Sequence, residues 1–177
     1  MKTTQQQAKN RVRIELAALS ENESFARAAV AAFAAQLNPT IAELDDLKTA
    51  VSEAVTNCVV HAYSSPPATA GKKNQIVIEC KLYNREIIIT VTDFGIGIEN
   101  IEKAMEPFYT TKPDDERSGM GFTVMQTFMD DLAVKSGKSG TKVTMRKKFS
   151  PPRKTATIRG KIFNVITKDK ENKACGG

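Results

Sequence analysis

Ile76-Val-Ile-Glu-Cys-Lys-Leu-Tyr-Asn-Arg-Glu-Ile-Ile-Ile-Thr-Val-Thr-Asp-Phe-Gly-Ile-Gly97 is the stretch around which the rest of the chain is arranged. Ile76, Ile78, Cys80 and Leu82 alternate with their neighbours, the two-residue period of a strand with one buried face. After a turn at Asn84-Arg85, the run Glu86 to Thr92 is rich in β-branched side chains and reads as a second strand. Asp93 therefore stands at a strand end and leads into the turn Phe94-Gly95-Ile96-Gly97. Glycines there permit positive φ and close backbone approach to a ligand, and the acid can accept a hydrogen bond from an amino group such as the exocyclic one of adenine. An ordinary Asp-x-Gly turn has the same letters. The pattern is not a P-loop, because no Gly-Lys-Ser/Thr follows the glycines.

Upstream, Val12, Ile14 and Leu16 alternate with polar residues and predict another half-buried strand. Ser20-Glu-Asn-Glu23 has the spacing of a capping box and predicts a helix to about Leu37. Asn38-Pro39 ends it, and Thr40-Ile-Ala-Glu43 repeats the capping pattern ahead of a longer helix to about Ala62. On that helix Ile41, Leu44, Leu47, Val51, Ala54, Val55 and Cys58 recur at three- and four-residue steps and define its buried stripe. Downstream, Ser64 to Asn74 is a loop, a short helix begins near Glu99, and a loop spans Glu106 to Ser118. A helix from Gly121 to about Met129 follows. Leu132 to Val134 and Lys142 to Phe149 read as closing strands joined by a flexible Ser136-Gly-Lys-Ser-Gly140. The chain contains no internal repeat.

Two further segments carry chemistry. Glu53 and Asn57 are four positions apart, so on a helix they project from one face. A carboxylate there can take a proton from a nucleophilic hydroxyl, and an amide oxygen is a hard ligand suited to Mg²⁺, although a solvated Glu beside a helix-surface Asn has the same spacing. Thr110-Thr-Lys-Pro-Asp-Asp-Glu-Arg-Ser-Gly-Met-Gly-Phe122 places hydroxyls, Lys112 and Arg117 before a glycine pair, Gly119 and Gly121, that opens a helix. Amides at a helix start and two cations can surround phosphates, so this segment reads as a mobile lid, with a charged surface loop and a glycine N-cap as the alternative. Gly140-Thr141 at the start of the last strand can supply a hydroxyl near the base. Together the segments describe an ATP site assembled from distant pieces.

Bulk properties narrow the class. At 177 residues the chain accommodates one domain of about 150 residues. No run of 18 or more apolar residues occurs, and Met1-Lys-Thr-Thr-Gln-Gln-Gln is polar, so the expectation is a soluble cytoplasmic protein. Cys58, Cys80 and Cys175 lack metal-ligand spacing and read as reduced thiols, the first two partly in the core. The net charge of +6 resides in the tail: from Pro151 onward seven Lys and Arg face two acids, while the preceding residues are nearly neutral. The tail has few aromatics for stacking on bases and reads as a solvated extension rather than a nucleic-acid arm.

The order of carboxylate-amide helix, acid-glycine turn, basic lid with glycines and closing Gly-Thr strand resembles the GHKL superfamily of ATPases and kinases. Within it, Ser20-Glu-Asn-Glu-Ser-Phe-Ala-Arg27, Val51-Ser-Glu-Ala-Val-Thr-Asn57, Phe108-Tyr-Thr-Thr-Lys-Pro113 and Glu116-Arg-Ser-Gly-Met-Gly-Phe122 are similar to the bacterial anti-sigma F family, the sporulation serine kinases that sequester a sigma factor. The resemblance runs from about Arg11 to Phe149. It implies an α+β fold, a two-layer α/β sandwich with a mostly antiparallel mixed sheet and helices on one face, with the nucleotide in the helical layer. It implies residues 1–10 as a flexible N-terminus, 11–149 as the ATP-binding kinase domain and 150–177 as a weakly ordered basic extension.

By the same resemblance, Glu53 is the general base, Asn57 the Mg²⁺ ligand, Asp93 the adenine reader with Thr141 beside it, and Arg117 meets the terminal phosphate. Gly95, Gly97, Gly119 and Gly121 shape the phosphate pocket, with Thr110, Thr111, Lys112 and Ser118 of the lid contributing to it. The implied partners are an RNA polymerase sigma factor and an anti-anti-sigma protein phosphorylated on serine, contacted near Arg27 and Glu116. A homodimer formed through the sheet side is implied as well, with no nucleic acid and no membrane.

Two departures stand out. The loop 64–73 is longer than the family's usual turn, and His61-Ala62-Tyr63 has alanine where glycine is common. Neither is expected to touch the chemistry. His61 falls on the Glu53 and Asn57 face, where a locally bonded helix-end histidine is the expected reading. Other readings are a related stress-response anti-sigma kinase, a nucleotide-gated sequestering protein with little kinase activity, and a gyrase-like or chaperone-like ATPase module. The retained Glu53 argues against the second and the lack of a following transducer domain against the third. A histidine kinase lacks support, because His61 is the chain's one histidine and no separate helical segment carries a phosphoacceptor.

Overall fold

The computed structural model describes residues 7–63, 74–108 and 119–151. Five strands, β1 (Asn10–Ala17), β2 (Gln75–Leu82), β3 (Glu86–Asp93), β4 (Asp131–Gly137) and β5 (Gly140–Lys148), form one sheet in the order β1-β2-β3-β5-β4. Every pairing among them is antiparallel. Four α-helices among the described residues accompany them: α1 (Glu21–Ala34), α2 (Ile41–Asn57), α3 (Ile101–Ala104) and α4 (Gly121–Phe128). No helix among the described residues is long and apolar enough to cross a membrane.

Register and alternation make the core. Ile78 pairs Val91, Cys80 pairs Ile89 and Leu82 pairs Ile87, and Val91 and Ile89 in turn pair Val143 and Met145 of β5. These buried residues share one face, and against them pack Ala26, Val30 and Ala34 of α1, Leu47, Val51, Ala54 and Val55 of α2, and Met125 of α4. The opposite face carries cross-strand ion pairs, Arg13 with Glu79 at 3.4 Å and Arg146 with Asp131 at 3.0 Å. The sheet side and the helix side are thereby distinguished.

Capping follows the sequence at one helix and departs from it at the other. Thr40 caps α2 with the full reciprocal box, its Oγ1 accepting the Glu43 amide while Glu43 accepts the Thr40 amide. Ser20 makes no such bond: it has helical φ and ψ, and the Asn22 and Glu23 amides instead donate to the Leu19 and Ser20 carbonyls. Glu23 bonds Arg27 at 2.6 Å rather than reaching back. A missing cap costs about 1 kcal/mol, whereas burying Val30 alone contributes roughly 1.5–3 kcal/mol, with Ala26 and Ala34 buried on the same side, so α1 forms on packing.

Two other expectations are corrected. Ile41 is 80 % exposed, because the helical stripe begins one step before the packed surface, which starts with Leu44. Ser136 to Gly140 is not a flexible joint. β4 and β5 continue through it, Gly137 pairs with Gly140, and only Lys138 and Ser139 form the turn. Cys58 and Cys80 are buried free thiols. Cys175 and the loop 64–73 lie outside the described residues.

Candidate active site

At one end of the sheet the buried face changes character. Ile87, Ile89, Val91 and Asp93 form a single alternating file in β3; the first three are core residues and the fourth is a carboxylate 5 % exposed. A buried charge costs several kcal/mol unless hydrogen bonds satisfy it. Oδ1 of Asp93 accepts the Gly95 amide at 3.0 Å and the Thr141 amide at 3.1 Å, which brings β5 to the end of β3. Cys58 Sγ lies 3.8 Å from Oδ2 and donates to the Ala54 carbonyl at 3.2 Å. Burial raises the Asp93 carboxyl above its ordinary value, with the two amides acting in the opposite sense. Burial, with the Asp93 charge adding to it, pushes the Cys58 thiol well up, so it stays protonated as a weak donor. Oδ1 thus carries both amide bonds, and Oδ2 offers lone pairs to a ligand's amino group.

The glycine turn after Asp93 is anchored on both sides. The Phe94 amide donates to the Tyr63 hydroxyl at 2.9 Å, the Ile96 amide to the Ala62 carbonyl at 3.0 Å and the Ile98 amide to Ser136 Oγ at 2.7 Å. Ser136 Oγ is also 2.9 Å from Thr141 Oγ1. A methyl group on Gly95 would sit 2.0 Å from the Ala62 carbonyl oxygen, so only glycine allows this approach. Gly97 has φ +77° and lies against the Gly137 carbonyl. Ala62 therefore supports the site's scaffold through its backbone carbonyl, a contact that does not depend on which side chain stands there.

Glu53 and Asn57 project from the last turn of α2 toward the first residue of α4. A methyl group on Gly121 would lie 3.1 Å from Glu53 Oε2 and 3.2 Å from Asn57 Oδ1, so these three residues form one cluster. After Asn57 the helix widens into a π-turn, Cys58–Ala62, which carries the chain from the Glu53 and Asn57 cluster to the Asp93 turn. Gly119 has φ +63°. Thr110, Thr111, Lys112, Glu116, Arg117 and Ser118 lie outside the described residues.

Arg27 stands elsewhere, in a groove of about 410 Å³ lined by Glu23, Asp45, Lys48, Thr49 and Ser52. Its guanidinium donates to Glu23 at 2.6 Å, Ser24 at 3.1 Å and Ser52 at 3.4 Å. Three residues of the Asp93 region escape a motif-based reading: Cys58, Tyr63 and Ser136. Ser136 was within reach of it, since it continues the alternation of Leu132 and Val134 and so falls on the buried face. Tyr63 follows a π-turn, which leaves no periodic signal.

The profile of the histidine kinase-like ATPase domain family matches residues 16–147. An anti-sigma F factor of Clostridium perfringens (strain SM101 / Type A) is 57 % identical over 142 residues, covering 80 % of this chain and 98 % of that protein. One of Clostridium acetobutylicum is 55 % identical over 142 residues, covering 80 % of this chain and 95 % of that protein. Among solved structures, the RsbU and RsbW domains of Rv1364c from Mycobacterium tuberculosis align with a TM-score of 0.56 at 18 % identity, covering 81 % of this chain and 34 % of that one. That likeness speaks for the fold.

Proposed function

This chain belongs to the anti-sigma F factors of the histidine kinase-like ATPase domain family, and from that premise we propose that it is an ATP-dependent protein serine kinase that binds a sporulation sigma factor and phosphorylates an anti-anti-sigma protein. The observation that carries the kinase reading is the cluster of Glu53 and Asn57 against Gly121, joined through Cys58–Ala62 to the Asp93 turn. Identity along nearly the whole length of proteins named anti-sigma F factors supports the sigma-binding half.

In this reading Asp93 accepts the adenine amino group through Oδ2, with Thr141 beside it, and Glu53 takes the proton from the attacking seryl hydroxyl. Gly119 and Gly121 give the phosphates room, Gly95 and Gly97 shape the pocket by holding their turn against the Ala62 and Gly137 carbonyls, and Thr110, Thr111, Lys112 and Ser118 contribute to phosphate binding. Arg117 meets the terminal phosphate, while Arg27 and Glu116 contact protein partners. Phosphoryl transfer rests mostly on positioning and charge neutralisation, so this set is sufficient. The donor set fits Mg²⁺, which binds through few protein oxygens and keeps its waters: Asn57 Oδ1 is a hard donor beside Glu53. When bound, the ion would neutralise phosphate charge.

The kinase domain in this proposal spans residues 11–149, flanked by residues 1–10 and the basic extension 150–177, and pairs with a second copy through the charged face of the sheet. The test is transfer from γ-labelled ATP with Mg²⁺ to an anti-anti-sigma protein, alongside sigma-factor capture. Serine labelling by the wild type that Glu53→Ala abolishes is the expected result. No labelling by a wild type that still binds ATP would sink the kinase reading and leave sequestration alone.

A further inference from the structure

We infer that Tyr63 is a positioning residue for base recognition: its phenol ties the Asp93 turn to the end of the helical segment that carries Glu53 and Asn57. The inference rests on the reading of the Asp93 pocket as an adenine site and names a residue on which that recognition depends.

The geometry is a two-sided bridge. The Tyr63 hydroxyl donates to the Gln75 carbonyl at the start of β2 and accepts the Phe94 amide at 2.9 Å. One hydroxyl thus uses both its donor and its acceptor capacity between two strands and a helix end. Burial raises its pKa, so it remains a neutral donor. The next amide but one, Ile96, is held by the carbonyl of the adjacent Ala62. Of three consecutive N–H groups in the turn, two therefore belong to Ala62 and Tyr63, and the one between them, Gly95, belongs to Asp93 Oδ1.

That division keeps the Asp93 carboxylate available. If the phenol oxygen is removed, the Phe94 amide loses this bond, and the charged acceptor nearest in sequence is Asp93 itself. An amide that competes for Asp93 turns Oδ2 away from a ligand's amino group. The Ile96 amide keeps its bond to the Ala62 carbonyl, so the turn stays tied to Cys58–Ala62 and the phosphate contacts keep their place. A merely structural tyrosine would weaken all nucleotides alike. A positioning tyrosine weakens the nucleotide whose base it helps to read.

The experiment titrates ADP and inosine diphosphate, which lacks the exocyclic amino group, against the full chain and its Tyr63→Phe variant. The wild type is expected to prefer ADP. In Tyr63→Phe, ADP should bind about tenfold more weakly, the effect of one buried hydrogen bond, while inosine diphosphate changes by less than about twofold. Equal weakening of both nucleotides, or none, overturns the inference with the adenine reading intact. A wild type that binds both alike overturns the adenine reading first and this inference with it. Amide exchange at Phe94 in the wild type is a second measure, independent of how the variant folds: slow exchange is expected, and exchange as fast as in an open loop overturns the bridge.

Discussion

The backbone amide of Thr141 donates to Asp93 Oδ1 at 3.1 Å, so a residue at the start of β5 completes the setting of a carboxylate at the end of β3. Asp93→Asn retains a carbonyl Oδ1 for Thr141 and Gly95 but replaces Oδ2 with an amino group, which is a donor facing a donor. ADP affinity should fall by about a hundredfold with the fold kept, a loss in line with a charged hydrogen bond and an unpaired group. Because burial raises the Asp93 carboxyl, acidification neutralises it sooner than an exposed aspartate, so wild-type affinity should decline as pH descends through that raised value. Titration calorimetry across pH tests both statements; an Asn variant with wild-type affinity would remove Asp93 from the site.

Gly121 lies opposite Glu53 and Asn57, and the tightness of that approach separates catalysis from stability. The Cβ of Gly121→Ala would stand 3.1 and 3.2 Å from their side-chain oxygens, which must each give way by a few tenths of an ångström. Since small misplacements cost rate, phosphotransfer should fall about tenfold while the melting temperature barely moves. Glu53→Ala should lose about 10²–10⁴-fold in transfer with ADP binding within about threefold of wild type. Single-turnover transfer and thermal melts on the three proteins provide the comparison, and parallel losses of rate and stability in Gly121→Ala would refute it.

Lys147 continues the buried file of Val143 and Met145 at the other end of β5, and it is 8 % exposed. Its Nζ donates to Asp46 Oδ2 at 3.0 Å and to the Phe128 carbonyl at 2.7 Å, joining α2 to the last residue of α4. Lys147→Met leaves a helix-terminal carbonyl and a carboxylate without this partner, and should destabilise the fold by about 1–3 kcal/mol. Urea denaturation of the single variants and the pair with Asp46→Ala should show a coupling of at least about 0.5 kcal/mol. Additive losses would mean the lysine acts through its aliphatic stem alone.

The fold was legible where period and packing agree. Ile76 to Leu82 and Glu86 to Asp93 alternate because one face is buried, and the same alternation placed Asp93 at a strand end. The Thr40 box formed as written, whereas Ser20 shows that a capping pattern only offers a bond that backbone turns can take instead. Ile41 obeys the helical period but extends past the surface that would cover it. In the site, Glu53, Asn57 and Asp93 stood out by residue type. Tyr63, Ala62 and Ser136 did not, because they act through backbone amides whose direction depends on a π-turn and a hairpin register that local composition does not encode.

Glu43 offers a pH test of the α2 N-terminus. Its Oε2 accepts the Thr40 amide at 2.7 Å and the Thr40 hydroxyl at 2.9 Å, while Oε1 accepts the Ser150 amide at 2.7 Å, so one carboxylate ties the helix start to the residue after β5 and Phe149. Burial alone would raise its pKa, but the bonds from Ser150 and Thr40 outweigh that and lower it from 4.5 to about 2. A carboxyl whose folded pKa is depressed contributes stability that is fully present above its unfolded value and lost as pH falls toward its folded one. The window is therefore roughly pH 4.5 down to 2. Glu43→Gln can still reach back to the Thr40 amide, since glutamine serves in a capping box, but it cannot titrate. The wild type should be the more stable protein at neutral pH, and its advantage should shrink through that window until the two denaturation midpoints meet. An advantage that is constant from pH 7 to 2 would show that the ionised carboxylate adds nothing beyond its shape.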